Sequence, residues 1–201
     1  MPLLYPTRYR RRVTDITLED LEELGVRGLL LDVDNTLTTH GSQHLSPEVE
    51  AWLNKMKEAG IALTVVSNSW EWRVAPFAEK IGLRHTSLSC KPSPIGFWRG
   101  ARRMGLKRRE CAAVGDQIFT DILGAKLGGV PCFLLDPIEK EQGKPFLQLR
   151  RRWEMPIRRK LAEQEEAKRA HCVVPQATAN RSMQRVIKPR WRPLRGCILW
   201  G

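Results

Sequence analysis

Short apolar runs alternate with segments whose apolar positions recur at helical spacing. Val26–Val33 and Ile61–Val66 are nearly continuous hydrophobic stretches, as expected of strands buried on both faces. Between them, Ser46-Pro47-Glu48 reads as a helix start: a capping serine, a proline at the first helical position and an acid near the positive dipole end. Val49, Trp52, Leu53 and Met56 follow at helical spacing, and Gly60 ends the run. The same logic predicts a helix over Leu18–Leu24, capped by Thr17 and stopped by Gly25. Further helices are predicted over Arg73–Ile81, Ile95–Met104 and Asp121–Leu127. Strands are predicted at Thr86–Leu88, Cys111–Val114 and Pro131–Leu135. Strands alternating with helices imply repeated βαβ units, so the expected fold is α/β: a Rossmann-like parallel sheet with helices on both faces. After Pro137 the pattern weakens. Phe146–Ala170 reads as one or two basic helices interrupted at Pro156, and residues 171–201, with Pro175, Pro189 and Pro193, read as a poorly ordered or peripheral tail.

Charge divides the chain in the same place. Of its 201 residues, 1–139 hold 18 Lys and Arg against 17 Asp and Glu, whereas 140–201 hold 16 against 5. This predicts a near-neutral core over 1–139 and a basic helical extension with an irregular tail over 140–201. Such an extension favours anionic partners, either a phospholipid surface or nucleic acid, or is simply a solvated helix. No apolar run approaches the ~18–20 residues of a membrane span, and Val13-Thr14-Asp15 follows Arg8–Arg12 where a signal peptide would be apolar. The expected location is the cytoplasm, with peripheral attachment at the inner membrane face as an option. The five cysteines contain no C-x-x-C pair, so a reduced protein without a zinc or disulfide framework is expected.

In open parallel sheets the binding crevice lies beyond the carboxyl ends of the strands. The first buried strand runs into Asp32-Val33-Asp34-Asn35-Thr36. Residues two apart on an extended chain face the same way, and a divalent cation relieves the repulsion of two such acids. Ser67-Asn68 follows the second strand and offers donors to a phosphate oxygen. Lys91-Pro92 follows the third and offers a point cation. Gly115-Asp116 follows the fourth, with Asp121 five residues on, either a metal-shell group or a helix-terminal acid.

Acid pair, hydroxyl, lysine and acid, in that order at successive strand ends, resemble the motifs of the haloacid dehalogenase (HAD) phosphatase superfamily over about residues 26–136. The narrower likeness is to its subfamily IIIA, YqeG-type group, whose relatives include a phosphatidylglycerophosphate phosphatase. Tyr5-Pro6, Gly25, the run Asp32–Leu37 and Val66–Ser69 carry it. The resemblance implies an HAD-like core and a magnesium-dependent phosphatase working through an aspartyl-phosphate. Asp32 is then the nucleophile, and Asp34 the acid that protonates the leaving oxygen and later accepts a proton from water. Ser67, Asn68 and Lys91 hold the phosphoryl oxygens. Asp32, Asp116 and Asp121, with Asp34 through its backbone carbonyl, form the Mg2+ set. Asn35 and Thr36 support the loop.

The intervals Asp32–Ser67 and Ser67–Lys91 are filled by the predicted loop, helices and short strand, leaving no room for a large cap domain. An open site suits a large or surface-bound substrate, or a small one enclosed by oligomerisation. Phosphatidylglycerophosphate in an anionic bilayer is the first expectation. A soluble phosphorylated metabolite, nucleotide or phosphoprotein is the alternative within the same chemistry, and a basic RNA- or ribosome-binding protein on an HAD scaffold is the alternative outside it. His40 and His44 read as exposed loop residues. Trp70 and Trp72 read as packing of the following helix, with the crevice mouth or lipid as alternatives. Arg8–Arg12 read as a solvated arm or a dock for lipid phosphates.

Overall fold

The computed structural model describes residues 3–139 and 145–172. Six parallel strands form one sheet: β1 (Arg8–Tyr9), β2 (Gly28–Leu31), β3 (Ala62–Val66), β4 (Arg84–Thr86), β5 (Cys111–Gly115) and β6 (Cys132–Leu134), in the order β1-β6-β5-β2-β3-β4. β2 therefore lies at the centre, with Leu29 opposite Leu63 of β3 and Ala112 of β5. Side chains alternate across the sheet. Leu29, Leu31, Val65 and Val114 face a core closed by α1 (Leu18–Glu23), α2 (Pro47–Glu58) and α3 (Glu71–Lys80). Leu30, Val66, Ala113 and Leu134 face the opposite core, closed by α4 (Ile95–Arg103), α5 (Leu123–Leu127) and α6 (Pro145–Cys172). The expected two-sided α/β architecture is present, and among the described residues no separate cap domain interrupts it.

The helix starts follow their sequence signals. Thr17 accepts from the Asp20 N–H, and Ser46 accepts from the Val49 N–H with Pro47 at the first position. The buried face of α2 is Val49, Trp52, Leu53 and Met56, and the Trp52 indole donates to the Ile16 carbonyl at 2.9 Å. Gly60, at φ 77°, turns the chain back into β3.

Several expectations are corrected. The extended run in Val26–Val33 is only Gly28–Leu31, α3 begins at Glu71, and β4 sits at Arg84–Thr86 because Leu88, at φ 44°, leaves the extended region. The segment predicted as helix from Asp121 starts as a π-helical turn over Ile118–Ile122 and becomes α-helical only at Leu123. The arginines at 8–12 are only in part a solvated arm: Arg11 and Arg12 are exposed, but Arg8 pairs with Glu23 and Arg10 with Asp20 and Glu165, while Arg8–Tyr9 add an edge strand to β6. A two-residue strand is too short to show a period, and its partners lie far along the chain.

Within the basic region the helix is continuous through Pro156. An internal proline costs about 3 kcal/mol in a helix, but Pro156 lies on the exposed side. Burial of Glu154, Arg158 and Leu161 on the other side anchors both halves. The tail expected over 171–201 lies, from residue 173 on, outside the described residues. Among those described, no helix is long and apolar enough to cross a membrane, and Cys90, Cys111 and Cys132 are free thiols.

Candidate active site

The carboxyl ends of β2, β3 and β5 meet at one point. The Asp32 N–H still donates to Val114 at 2.9 Å, so Asp32 extends the central strand and its side chain is placed rigidly. The chain then turns sharply: Asn35 takes φ 59°, and the Val33 carbonyl accepts from the N–H groups of Leu37 and Thr38. Ser67 continues β3, its N–H donating to Thr86, and its hydroxyl accepts from the Ser69 N–H at 3.1 Å.

Lys91 arrives through a strained loop. Leu88 and Cys90, at φ 44° and 54°, both occupy the left-handed region that side chains disfavour. Asn68 holds this loop in place. Its carbonyl oxygen accepts from the Lys91 N–H at 2.7 Å and from the Ser89 hydroxyl at 2.8 Å, while its amide nitrogen donates to the Lys91 carbonyl at 3.0 Å. The Asn68 amide is thus engaged with the lysine segment, and its contacts position Lys91.

The Lys91 ammonium is buried and spends its three donors on Asp32 Oδ1 (2.5 Å), Asp121 Oδ1 (2.6 Å) and the Val66 carbonyl (3.1 Å). Asp121 comes from the π-helical turn, where it also accepts from the Gln117 N–H at 3.1 Å. Asp116 completes the cluster: ligand oxygens of Asp32, Asp116 and Asp121 lie within 4.8 Å of one another, and all three residues are buried. Three acids outnumber the one lysine, and burial, opposed by Lys91, pushes the Asp32 carboxyl up to about 8, with Asp121 and Asp116 adding to the rise. Burial likewise raises Asp116 to about 6 against the pull of Arg151. Burial alone would lower Lys91, but Asp121 and Asp32 outweigh it and hold the ammonium charged.

This donor set fits a divalent cation. It is all oxygen, as hard cations require, and Asp116 Oδ1 is buried without a hydrogen-bond partner. A buried carboxylate oxygen left without a partner is costly unless something else satisfies it.

Asp34 stands apart from the triad. Its Oδ1 is paired with Arg73 and lies 3.3 Å from His40 Nδ1. It also accepts from the Gly41 N–H at 3.2 Å, and Ser69 donates to Oδ2 at 3.4 Å. The carboxylate sits in a polar, partly open position, and His40, expected to be idle, touches it. Trp70 and Trp72 do not pack: they are 63% and 75% exposed. Arg73, Arg151, Glu154 and Arg158 are site residues that the strand-end pattern does not single out. The signal for Glu154 was present, as a lone acid in the run Arg150–Lys160. For Arg73 there was none beyond its place one helical turn after Ser69.

Comparison with known proteins agrees with this geometry. A family model described as haloacid dehalogenase-like hydrolase matches residues 19–129. The probable phosphatase YqeG of Bacillus subtilis (strain 168) is 36% identical over 138 residues, covering 69% of this chain and 80% of that protein. Among solved structures, an uncharacterized protein from Listeria monocytogenes serotype 4b superposes with a TM-score of 0.49 at 17% identity, over 59% of this chain and 85% of that one. The 3-deoxy-D-manno-octulosonate 8-phosphate phosphatase of Moraxella catarrhalis gives 0.41 at 16%, over 51% and 65%. The sheet order, the buried aspartates at its carboxyl edge, the family-model match and the likeness to YqeG lead to one conclusion: the chain belongs to the haloacid dehalogenase-like hydrolase family, as a phosphatase similar to YqeG.

Proposed function

We propose that the protein hydrolyses a phosphomonoester through an aspartyl-phosphate on Asp32, with Mg2+ as cofactor and phosphatidylglycerophosphate as substrate. The observation that carries the chemistry is the buried Asp32–Lys91–Asp121 bridge with Asp116 beside it, adjoining the separately held Asp34. Asp32, Asp116 and Asp121, with the Asp34 carbonyl, would hold the cation. When bound, Mg2+ neutralises the charge of carboxylates and phosphoryl oxygens brought together.

An Asp32 oxygen attacks phosphorus in line. The phosphorus–oxygen bond to the leaving group breaks, and Asp34 gives that oxygen a proton. Water then attacks the phosphorus of the aspartyl-phosphate, Asp34 takes its proton, and phosphate departs with Asp32 restored. Lys91 holds the nucleophile and sets its positive charge beside the transferred oxygens, to which Ser67 offers its hydroxyl. Asn68 acts by positioning Lys91. Arg73, Ser69 and the Gly41 N–H orient Asp34.

The substrate reading rests on the mouth. Among the described residues no domain caps it, and exposed Trp70 and Trp72 follow Ser67–Ser69 directly. On α6, Leu149 and Trp153 are also exposed, with Arg152 between them. Tryptophan and arginine together suit the interface of an anionic bilayer, which supports peripheral attachment at a membrane surface. Phosphate release is measured for phosphatidylglycerophosphate in anionic vesicles, a sugar phosphate, a nucleotide and a phosphopeptide, with Mg2+ and then with chelator. Preference for the lipid, lost on chelation, is expected. Preference for a soluble compound overturns the substrate, and turnover by Asp32→Asn overturns the nucleophile.

A further inference from the structure

Composition alone marks α6 as a basic surface helix, yet one of its faces enters the site. The Arg151 guanidinium pairs through Nη2 with Asp116 Oδ2, and its Nη1 donates to the carbonyl of the same residue at 2.5 Å. Arg158 donates to that carbonyl as well, and to the Leu135 carbonyl at 3.0 Å. Glu154, fully buried, lies between the two arginines, 3.3 Å from each. It accepts from the Ile118 N–H at 2.9 Å, at the start of the turn that carries Asp121. Arg150 reaches the Gln117 side chain. Residues 151, 154 and 158 share one helical face, so α6 grips both sides of the segment bearing Asp116 and Asp121.

We propose that Arg151 is a positioning residue for cation binding, a reading that rests on the metal site proposed above. The guanidinium fork takes one oxygen of Asp116 and its main-chain carbonyl together, which fixes both the backbone and the carboxylate plane. The other oxygen, Oδ1, is left buried without a hydrogen-bond partner. That is the state of a carboxylate prepared to give one oxygen to a metal while its neighbour is held from behind. The opposite role, Arg151 as a charge occupying the cation's place, fits less well. The positive group bridging Asp32 and Asp121 is Lys91, and Arg151 binds the Asp116 main-chain carbonyl as well as its carboxylate.

The two roles predict opposite signs. Loss of a group that orients a ligand weakens metal affinity by about 10–100-fold, whereas loss of a competitor tightens it. The full-length wild type, Arg151→Gln, Arg151→Lys and Asp116→Asn are compared by Mn2+ binding (electron paramagnetic resonance of the free ion) and by the Mg2+ dependence of p-nitrophenyl phosphate hydrolysis. Arg151→Gln is expected to bind Mn2+ about 10–100-fold more weakly. The Mg2+ concentration for half-maximal rate should rise by a larger factor than kcat falls. Arg151→Lys, keeping the charge but not the fork, should fall between. Unchanged or tighter binding in Arg151→Gln overturns the proposal. If that variant does not fold, wild-type affinity in Arg151→Lys overturns it instead. Absence of Mn2+ binding by the wild type, or binding unaffected by Asp116→Asn, overturns the metal site itself.

Discussion

Replacing Lys91 with methionine tests the electrostatics of the site without reference to substrate. The side chain is 4% exposed and its ammonium is shared between Asp32 at 2.5 Å and Asp121 at 2.6 Å, themselves 9% and 3% exposed. Methionine nearly matches the volume, so packing changes little and the loss is the charge. Removing one partner of a buried ion pair costs about 3–5 kcal/mol, because the remaining charge is stranded away from water. For a chain of this size each kcal/mol moves the melting temperature by about 2–4 °C, so the variant should melt about 6–20 °C below the wild type in the presence of chelator. Asp32→Asn perturbs the same bridge with the opposite expectation. It removes one of three mutually repelling acids and leaves Lys91 paired with Asp121, so its melting temperature should be no lower than that of the wild type. Added Mg2+ should raise the Lys91→Met variant more than the wild type, since a cation then replaces the missing charge. Thermal unfolding of the three proteins with and without Mg2+ measures all of this. If Lys91→Met melts within about 2 °C of the wild type in chelator, or if Asp32→Asn is the more damaging change, the description of the cluster as acids held together by one lysine is wrong.

Two further substitutions probe the support of the site. A Cβ on Gly115 would lie 2.4 Å from Asp121 Cγ. Gly115→Ala should therefore displace Asp121 from Lys91, cost about 1–3 kcal/mol as an overpacked position does, and lower phosphatase activity, read by thermal unfolding and by phosphate release. Arg73→Leu removes the charged partner of Asp34 while leaving the buried cluster intact. General acid–base catalysis contributes about 10²–10⁴-fold. A loss of kcat on p-nitrophenyl phosphate of up to that size is expected, with little change in melting temperature or Mg2+ dependence, and an unchanged kcat would show that Asp34 needs no orientation from Arg73.

Much of the molecule is legible in the chain. Buried parallel strands are apolar runs because both their faces are covered, and Thr17, Ser46 and Pro47 mark helix starts through local hydrogen bonding and fixed backbone angles, so no distant partner is needed to read them. The acids at 32, 34 and 116 are legible because each stands just after a strand end, where an α/β sheet gathers its chemistry, and Lys91 and Asp121 follow in the connections that leave those ends. What the sequence could not determine depends on partners far along the chain. Local spacing says nothing of Lys91 inserting between Asp32 and Asp121, of Asn68 serving Lys91, or of Arg73 reaching Asp34. The fate of the C-terminal arginines is the clearest case. Composition reads them all as surface charge, but only the docking of α6 separates Arg151 and Arg158, drawn into the site by Asp116 and Glu154, from Arg152 and Arg159, which remain in solvent. A charged side chain is buried only where a counter-charge already waits, and where that counter-charge waits is a property of the folded chain.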